Sequence, residues 1–96
     1  MAKQIIWTNK AKNELVDILK YWIGRNKSNS FSIKLNNLIK EHLELIADFP
    51  ETGRKTDIEN VNVKIIHKYL LYYEVINDRV YVLTIRHGNK NPKTLN

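Results

Sequence analysis

The sequence predicts an α+β domain in the order β-α-α-β-β-β, an antiparallel sheet with an αα-hairpin packed on one face. Three observations predict it. Through the first half of the chain apolar residues recur every three or four positions, the period of one face of a helix. From Val61 onward the chain turns to short runs of branched and aromatic residues separated by two-residue polar breaks, as paired strands require. A polar stretch with Pro and Gly, Pro50 to Asn60, divides the two regimes. A chain of 96 residues supports one compact core, so residues 1–96 are expected to form a single domain.

Each element follows from its residues in turn. Gln4-Ile5-Ile6-Trp7-Thr8 is a short first strand, and Asn9 stands where a helix N-cap is needed. Ala11, Leu15, Ile18, Leu19 and Trp22 then form an apolar stripe, with Lys12, Glu14, Asp17 and Lys20 turned away, and this helix ends near Gly24 to Asn26. Ser28 or Ser30 caps a second helix whose stripe is Phe31, Leu35, Leu38, Ile39, Leu43, Ile46 and Phe49, closed by Pro50. Trp22 and Phe49, each on a stripe, are expected in the core. Pro50 to Asn60 lacks any hydrophobic period and reads as a loop, basic around Arg54 and Lys55. Strands follow at Val61 to Ile66, Tyr69 to Ile76 and Val80 to Arg86, broken at His67-Lys68 and at Asn77-Asp78, where Asn-Asp tolerates the positive φ of a tight hairpin. Gly88 to Asn96 is polar and reads as a tail.

A turn at Asn77-Asp78 sets Ile76 opposite Arg79. Regular alternation then places Leu71, Tyr73, Val75, Val80 and Val82 on the face that meets the helices. Leu70, Tyr72, Glu74, Tyr81, Leu83 and Ile85 fall on the other face, which is too apolar to be left in water and should be covered by a partner or by a C-terminal segment.

Sixteen Lys and Arg against ten Asp and Glu give a formal charge of +6. That excess suits an anionic partner, although it also serves plain solubility. The absence of cysteine excludes disulfides, a thiolate nucleophile and zinc–thiolate sites, and fits a reducing, cytoplasmic setting. No signal-peptide core and no apolar run long enough for a bilayer are present, so no membrane partner is expected.

Four stretches, taken in order, resemble the RelE/ParE toxin superfamily of bacterial type II toxin–antitoxin systems, the plasmid-stabilisation type. Trp7 followed by Ala11, Leu15, Ile18 and Tyr21-Trp22 is similar to that superfamily's opening strand and helix, and Phe49-Pro50-Glu51-Thr52-Gly53-Arg54 to its exit loop. Tyr69 to Val75 resembles its central strand, and Val82 to Gly88 the strand leading to its His-Gly ending. The resemblance implies growth inhibition released when a labile, cognate antitoxin is degraded. The target it implies is open: ParE-like members poison DNA gyrase, whereas RelE-like members are metal-independent endoribonucleases that cut mRNA on the ribosome. A homodimer, or a heterotetramer with the antitoxin, would both be consistent with it.

The residues bear unequally on these two chemistries. RNA cleavage needs an acid, a base and cations around a phosphorane. For a nuclease the candidates are His87, the side-chain type best suited to acid–base work near neutrality, with Lys64, Arg86 and Lys90. A strand-end histidine equally serves as a carbonyl cap. The resemblance would place an arginine at the start of the central strand, where this chain has Leu70, and another in the tail, where it has Lys90; lysine lacks the planar fork of arginine. The ending Arg86-His87-Gly88-Asn89-Lys90-Asn91 is closer to the ParE branch. Arg54, Lys55, Lys68 and Lys93 are candidates for target or nucleic-acid contact, and Leu70, Tyr72, Tyr81, Leu83 and Ile85 for antitoxin contact. His42 and His67 sit too far apart in pattern to share a metal, so no metal or cofactor is expected.

Overall fold

The computed structural model describes residues 3–88. Strand β1 (Gln4–Trp7) leads into helices α1 (Asn9–Asn26) and α2 (Ser30–Asp48), and a 3-10 turn at Pro50–Thr52 leads out to β2 (Arg54–Lys55), β3 (Val61–Ile66), β4 (Tyr69–Ile76) and β5 (Arg79–His87). The strands form one sheet in the order β1-β5-β4-β3-β2.

The expected α+β class and order hold, with two refinements. The sheet is mixed, because β1 runs parallel to β5, Gln4 beside Arg79 through Trp7 beside Val82. Four residues of alternating pattern carry no information about direction. The polar stretch also contributes an edge strand, since Arg54 and Lys55 pair antiparallel with Val63 and Asn62. Two residues are too few to show a period. What fixes them is Tyr73, whose hydroxyl donates to the Pro50 carbonyl at 2.8 Å and accepts from the Gly53 amide at 3.1 Å. Gly53 is needed there: a Cβ would run into the Tyr73 ring and lie 2.9 Å from the Val63 carbonyl oxygen. Burial raises the Tyr73 pKa above its ordinary value, against the opposing bonds from Gly53 and Thr52.

Thr8, not Asn9, is the N-cap of α1. Its backbone is extended, and its hydroxyl accepts from the Ala11 amide at 3.2 Å while donating to the Val82 carbonyl at 2.9 Å. One side chain thus starts the helix and ties that start to β5. Lys27, at φ 53, ends α1 in the left-handed conformation, and the Ser28 hydroxyl accepts from the Ser30 amide where α2 begins. Buried Ser32 donates to the Leu19 carbonyl at 2.7 Å, locking the two helices together.

The helices cover one sheet face. Ala11, Leu35, Ile39, Leu43 and Ile46 meet Ile66, Tyr69, Leu71, Tyr73, Val80, Val82 and Ile85 in one core, with Trp22 half-buried against it. Phe49 departs from expectation: it lies one residue beyond the last turn of α2 and is 61% exposed. Ile85 departs as well. A register shift between Tyr72 and Tyr73 makes Leu83 an extra residue in β5, so that Tyr73 faces Val82 but Tyr72 faces Thr84. Beyond this bulge the alternation inverts, and Ile85, opposite Leu71, enters the helix-side core at 1% exposure.

The other face carries a second cluster, Val61, Val63, Leu70 and Tyr72, with Leu83 packed against it. Leu70 and Tyr72 are not the open patch that alternation suggests, for they are 4% and 0% exposed within this chain. The Gly88 amide donates to the Lys68 carbonyl at 2.7 Å and so brings Gly88 over Leu70, while the Arg86 guanidinium lies 5.7 Å from the Tyr72 ring centre.

Three substitutions read out this arrangement. Ile85→Ala should cost about 2–5 kcal/mol, as for a truncated core aliphatic, whereas Phe49→Ala should stay within about 0.5 kcal/mol, as for a surface position. Tyr73→Phe should cost about 1–3 kcal/mol by stranding the Pro50 and Gly53 backbone groups. Urea unfolding midpoints measure all three, and equal destabilisation at Ile85 and Phe49 would contradict the bulged register.

Candidate functional site

Helix α1 has a polar and aromatic face as well as its core stripe: Glu14, Asp17, Tyr21 and Arg25 follow at helical spacing and look along the end of β5. Together with Ile18, Trp22, Lys68, Tyr69, Ile85, Arg86 and His87 they line a groove of ≈ 570 Å³. It is the most chemically mixed surface among the described residues, with three cations, two carboxylates, an imidazole and three large rings.

The rings are fixed by one another. The Trp22 indole donates to the Tyr69 hydroxyl at 2.7 Å, and its ring meets Tyr21 at 5.2 Å and Phe31 at 4.7 Å, each in an edge arrangement. Phe31 in turn touches the His67 ring, and Tyr69 the His87 ring at 5.7 Å. Tyr21 is 56% exposed, so the array ends in an uncovered phenol.

At the floor, Glu14 joins α1 to β5. It accepts from the Thr84 hydroxyl at 2.6 Å and the Ile85 amide at 3.3 Å, and pairs with Lys10 at 2.8 Å. Partial burial pushes its pKa up, but the bonds from Lys10, Thr84 and Ile85 outweigh that and hold the carboxyl below its ordinary range. Lys10–Glu14 is the one ion pair among the described residues, which leaves Arg25, Lys68 and Arg86 without a carboxylate partner.

The candidates read from sequence separate into two places. Lys68, Arg86 and His87 come together at this groove. Arg54 and Lys55 stand exposed on edge strand β2, at the far side of the sheet, and Lys64 is on β3 near them. Alternation along β3, with Val61 and Val63 in the second cluster and Ile66 in the main core, puts Lys64 on the helix side. There it acts on His42: burial first, and then the Lys64 charge, depress the imidazole pKa against the opposing pull of Glu41, and His42 Nδ1 is buried with no hydrogen-bond partner. Lys64 faces Leu71 on β4, which faces Ile85 on β5; two strand spacings, roughly 10 Å, therefore separate it from the strand of His87. Lys64 thus stands apart from Arg86 and His87. Lys90 and Lys93 lie outside the described residues. Of the antitoxin candidates, Tyr81 and Leu83 are half-buried and the other three are buried.

Sequence reasoning missed Asp17, Tyr21, Trp22 and Tyr69 as site residues. The signal was the i, i+3, i+7, i+11 spacing of Glu14, Asp17, Tyr21 and Arg25, which reads equally well as a solvated helix face until the end of β5 is seen beside it. No cluster of three or more His, Cys, Asp or Glu side chains forms among the described residues, and no helix among them is long and apolar enough to cross a membrane.

Comparison with known proteins gives a consistent picture. The family model described as the ParE toxin of the type II toxin–antitoxin system, parDE, matches residues 5–92. A solved structure titled "Chromosomal ParDE TA system from P. aeruginosa" superposes with a TM-score of 0.74 at 16% identity, covering 90% of this chain and 96% of that one. At that identity the likeness is one of fold. No curated protein matches the sequence significantly.

The two depressed pKa values carry a sign. In each case the unfolded chain takes up protons first, so stability is full above the ordinary value and is lost as pH falls toward the folded value. The His42 contribution should go just below pH 6.5 and the Glu14 contribution below pH 4.5. Urea midpoints between pH 7.5 and 3.5 should show His42→Gln lacking the upper step and Glu14→Gln lacking the lower one; an unchanged acid limb in Glu14→Gln would mean that the bond to Thr84 does not hold α1 on β5.

Proposed function

The chain belongs to the ParE toxin family of type II toxin–antitoxin systems, and from that premise we propose that it arrests growth by binding and poisoning DNA gyrase, not by cutting mRNA on the ribosome. The observation that carries this reading is the separation of Lys64 from Arg86 and His87 at the end of β5. A phosphorane is stabilised by donors that converge within about 3 Å of its oxygens. Here Lys64 serves the helix side beside His42, Arg86 reaches over Tyr72, and His87 stands at a strand end against Tyr69. Leu70, where a RelE-like site would carry arginine, is buried.

A toxin that acts by occupying its target needs charged area in place of converging donors. Lys68 and Arg86 at the groove, with Lys90 and Lys93 in the following segment and Arg54 and Lys55 at the sheet edge, are the contacts proposed for that target. The cognate antitoxin is the second partner. Tyr81 and Leu83 are the half-exposed members of the apolar set, and they, not Leu70, Tyr72 or Ile85, are the ones proposed to meet it.

Purified protein should promote gyrase-dependent DNA cleavage and leave ribosome-bound mRNA intact. In induced cells the DNA-damage response should rise, His87→Ala should weaken toxicity only a few-fold, and joint replacement of Arg86, Lys90 and Lys93 by Ala should abolish it with the unfolding midpoint retained. Codon-specific mRNA cuts that disappear in His87→Ala, with no damage response, would replace gyrase by the ribosome as target.

A further inference from the structure

We propose that the groove between α1 and the end of β5 is a binding site for one unstacked nucleotide of a single-stranded nucleic acid, with its base against Tyr21 and its phosphates at Arg25 and Lys68. The inference is independent of which target the toxin poisons, and it rests on the lining of the groove.

Size permits it, since ≈ 570 Å³ accommodates a nucleotide with room for the adjoining phosphates. The aromatic surface is pre-organised. Trp22 is held by the bond to Tyr69 and by its contact with Phe31, and Tyr21, perpendicular to it at 82°, is more than half uncovered. A planar base can stack on such a ring at little entropic cost, and base–aromatic stacking is tolerant of base identity. The cations come from three separate elements, Arg25 in the last turn of α1, Lys68 in the β3–β4 turn and Arg86 on β5. None has a carboxylate partner among the described residues, so none must be released before it meets a phosphate.

Asp17 decides between a nucleotide and an acidic peptide. It lines the same groove, and unlike Glu14 it is engaged in no hydrogen bond or ion pair among the described residues. A peptide rich in Asp and Glu would meet repulsion from it. A base with an exocyclic amine would instead donate to it, as cytosine and guanine do to carboxylates. A carboxylate beside cations in one groove suits a nucleotide carrying an amine on its base and a charge on its phosphate.

The test uses the whole chain and two 5′-phosphorylated DNA hexanucleotides, one containing guanine and one all thymine, followed by fluorescence anisotropy. Both should bind, the guanine strand more tightly. Quenching of Trp22, recorded in Trp7→Phe so that a single indole remains, should saturate at the same concentration. Tyr21→Ala should weaken binding about tenfold; the side chain is exposed, so the fold survives. Arg25→Ala with Lys68→Ala should weaken it further and flatten the logarithmic salt dependence by roughly 0.7 for each phosphate that is no longer neutralised. Asp17→Asn should remove the preference for guanine over thymine. A weakening in Tyr21→Ala no greater than in Lys12→Ala, which lies outside the groove, would reduce the effect to general charge and overturn the proposal. Tighter binding of an acidic peptide, in competition with the oligonucleotides, would overturn it in favour of a peptide site. Failure of gyrase cleavage with these oligonucleotide results intact would remove the gyrase reading and leave the site standing.

Discussion

One extra residue in β5 sets the sidedness of half the molecule. With Leu83 left out of the ladder, the strand bonds Tyr73 to Val82 and Tyr72 to Thr84, and every side chain beyond it changes face. Ile85 thereby completes the core under the helices. The same inversion sets His87 against Tyr69, and just past the bulge the Thr84 hydroxyl and the Ile85 amide donate to Glu14 on α1. Without the bulge Ile85 and His87 would point to the opposite face, away from α1. The two walls of the groove are joined by these contacts and by the bond from the Trp22 indole to the Tyr69 hydroxyl.

The N-terminal strand makes the bulge tolerable. β1 runs parallel to β5 up to Trp7 beside Val82, and Thr8 then turns into α1 with its hydroxyl on the Val82 carbonyl. A bulge leaves backbone groups without ladder partners, and a buried carbonyl without a donor is costly. The Thr8 amide and hydroxyl both supply donors at that place, and a second bond from the hydroxyl reaches the Leu83 carbonyl. The residue that caps the helix therefore also repairs the strand, and α1 starts from a point fixed to the irregularity that shapes the site.

These couplings explain which parts of the molecule can be read from sequence. The helices are legible because Leu35, Ile39, Leu43 and Ile46 repeat often enough for the period to be unmistakable, and the hairpins because Asn77 and His67 stand at two-residue breaks and adopt positive φ. Each error has a physical origin of another kind. Phe49 fits the stripe of α2, but the helix ends one residue earlier, so periodicity carries past the end of the element it describes. Counting from a correctly placed turn puts Ile85 on the wrong face, because counting fails when an insertion has no sequence mark; Val82-Leu83-Thr84 contains no glycine and nothing else that announces a bulge. The exposed apolar face follows from alternation alone, and Leu70 is in fact covered by Gly88, a residue whose own pattern is merely polar tail. The groove is invisible in the sequence for a different reason: half of it lies on α1 and half about sixty residues later at the end of β5, and no period links positions so far apart.

The charge distribution completes the argument about what this fold is suited to do. A site for local chemistry concentrates its cations, accepts their mutual repulsion at one point, and offsets that cost with the transition state it binds. This chain gathers Arg25, Lys68 and Arg86 at the groove and spreads the rest. Exposed Lys12 and Lys20 lie along α1 and Arg54 and Lys55 on the edge strand, and the one ion pair among the described residues, Lys10–Glu14, neutralises none of these. At physiological ionic strength charges more than about 8 Å apart are largely screened from one another, so dispersal costs the isolated fold little stability. An anionic partner that lies across several of these positions gathers attractions that salt had kept apart, and releases the counterions held at each. Dispersed cations therefore do little inside the free chain and act together only when a large acidic surface is present.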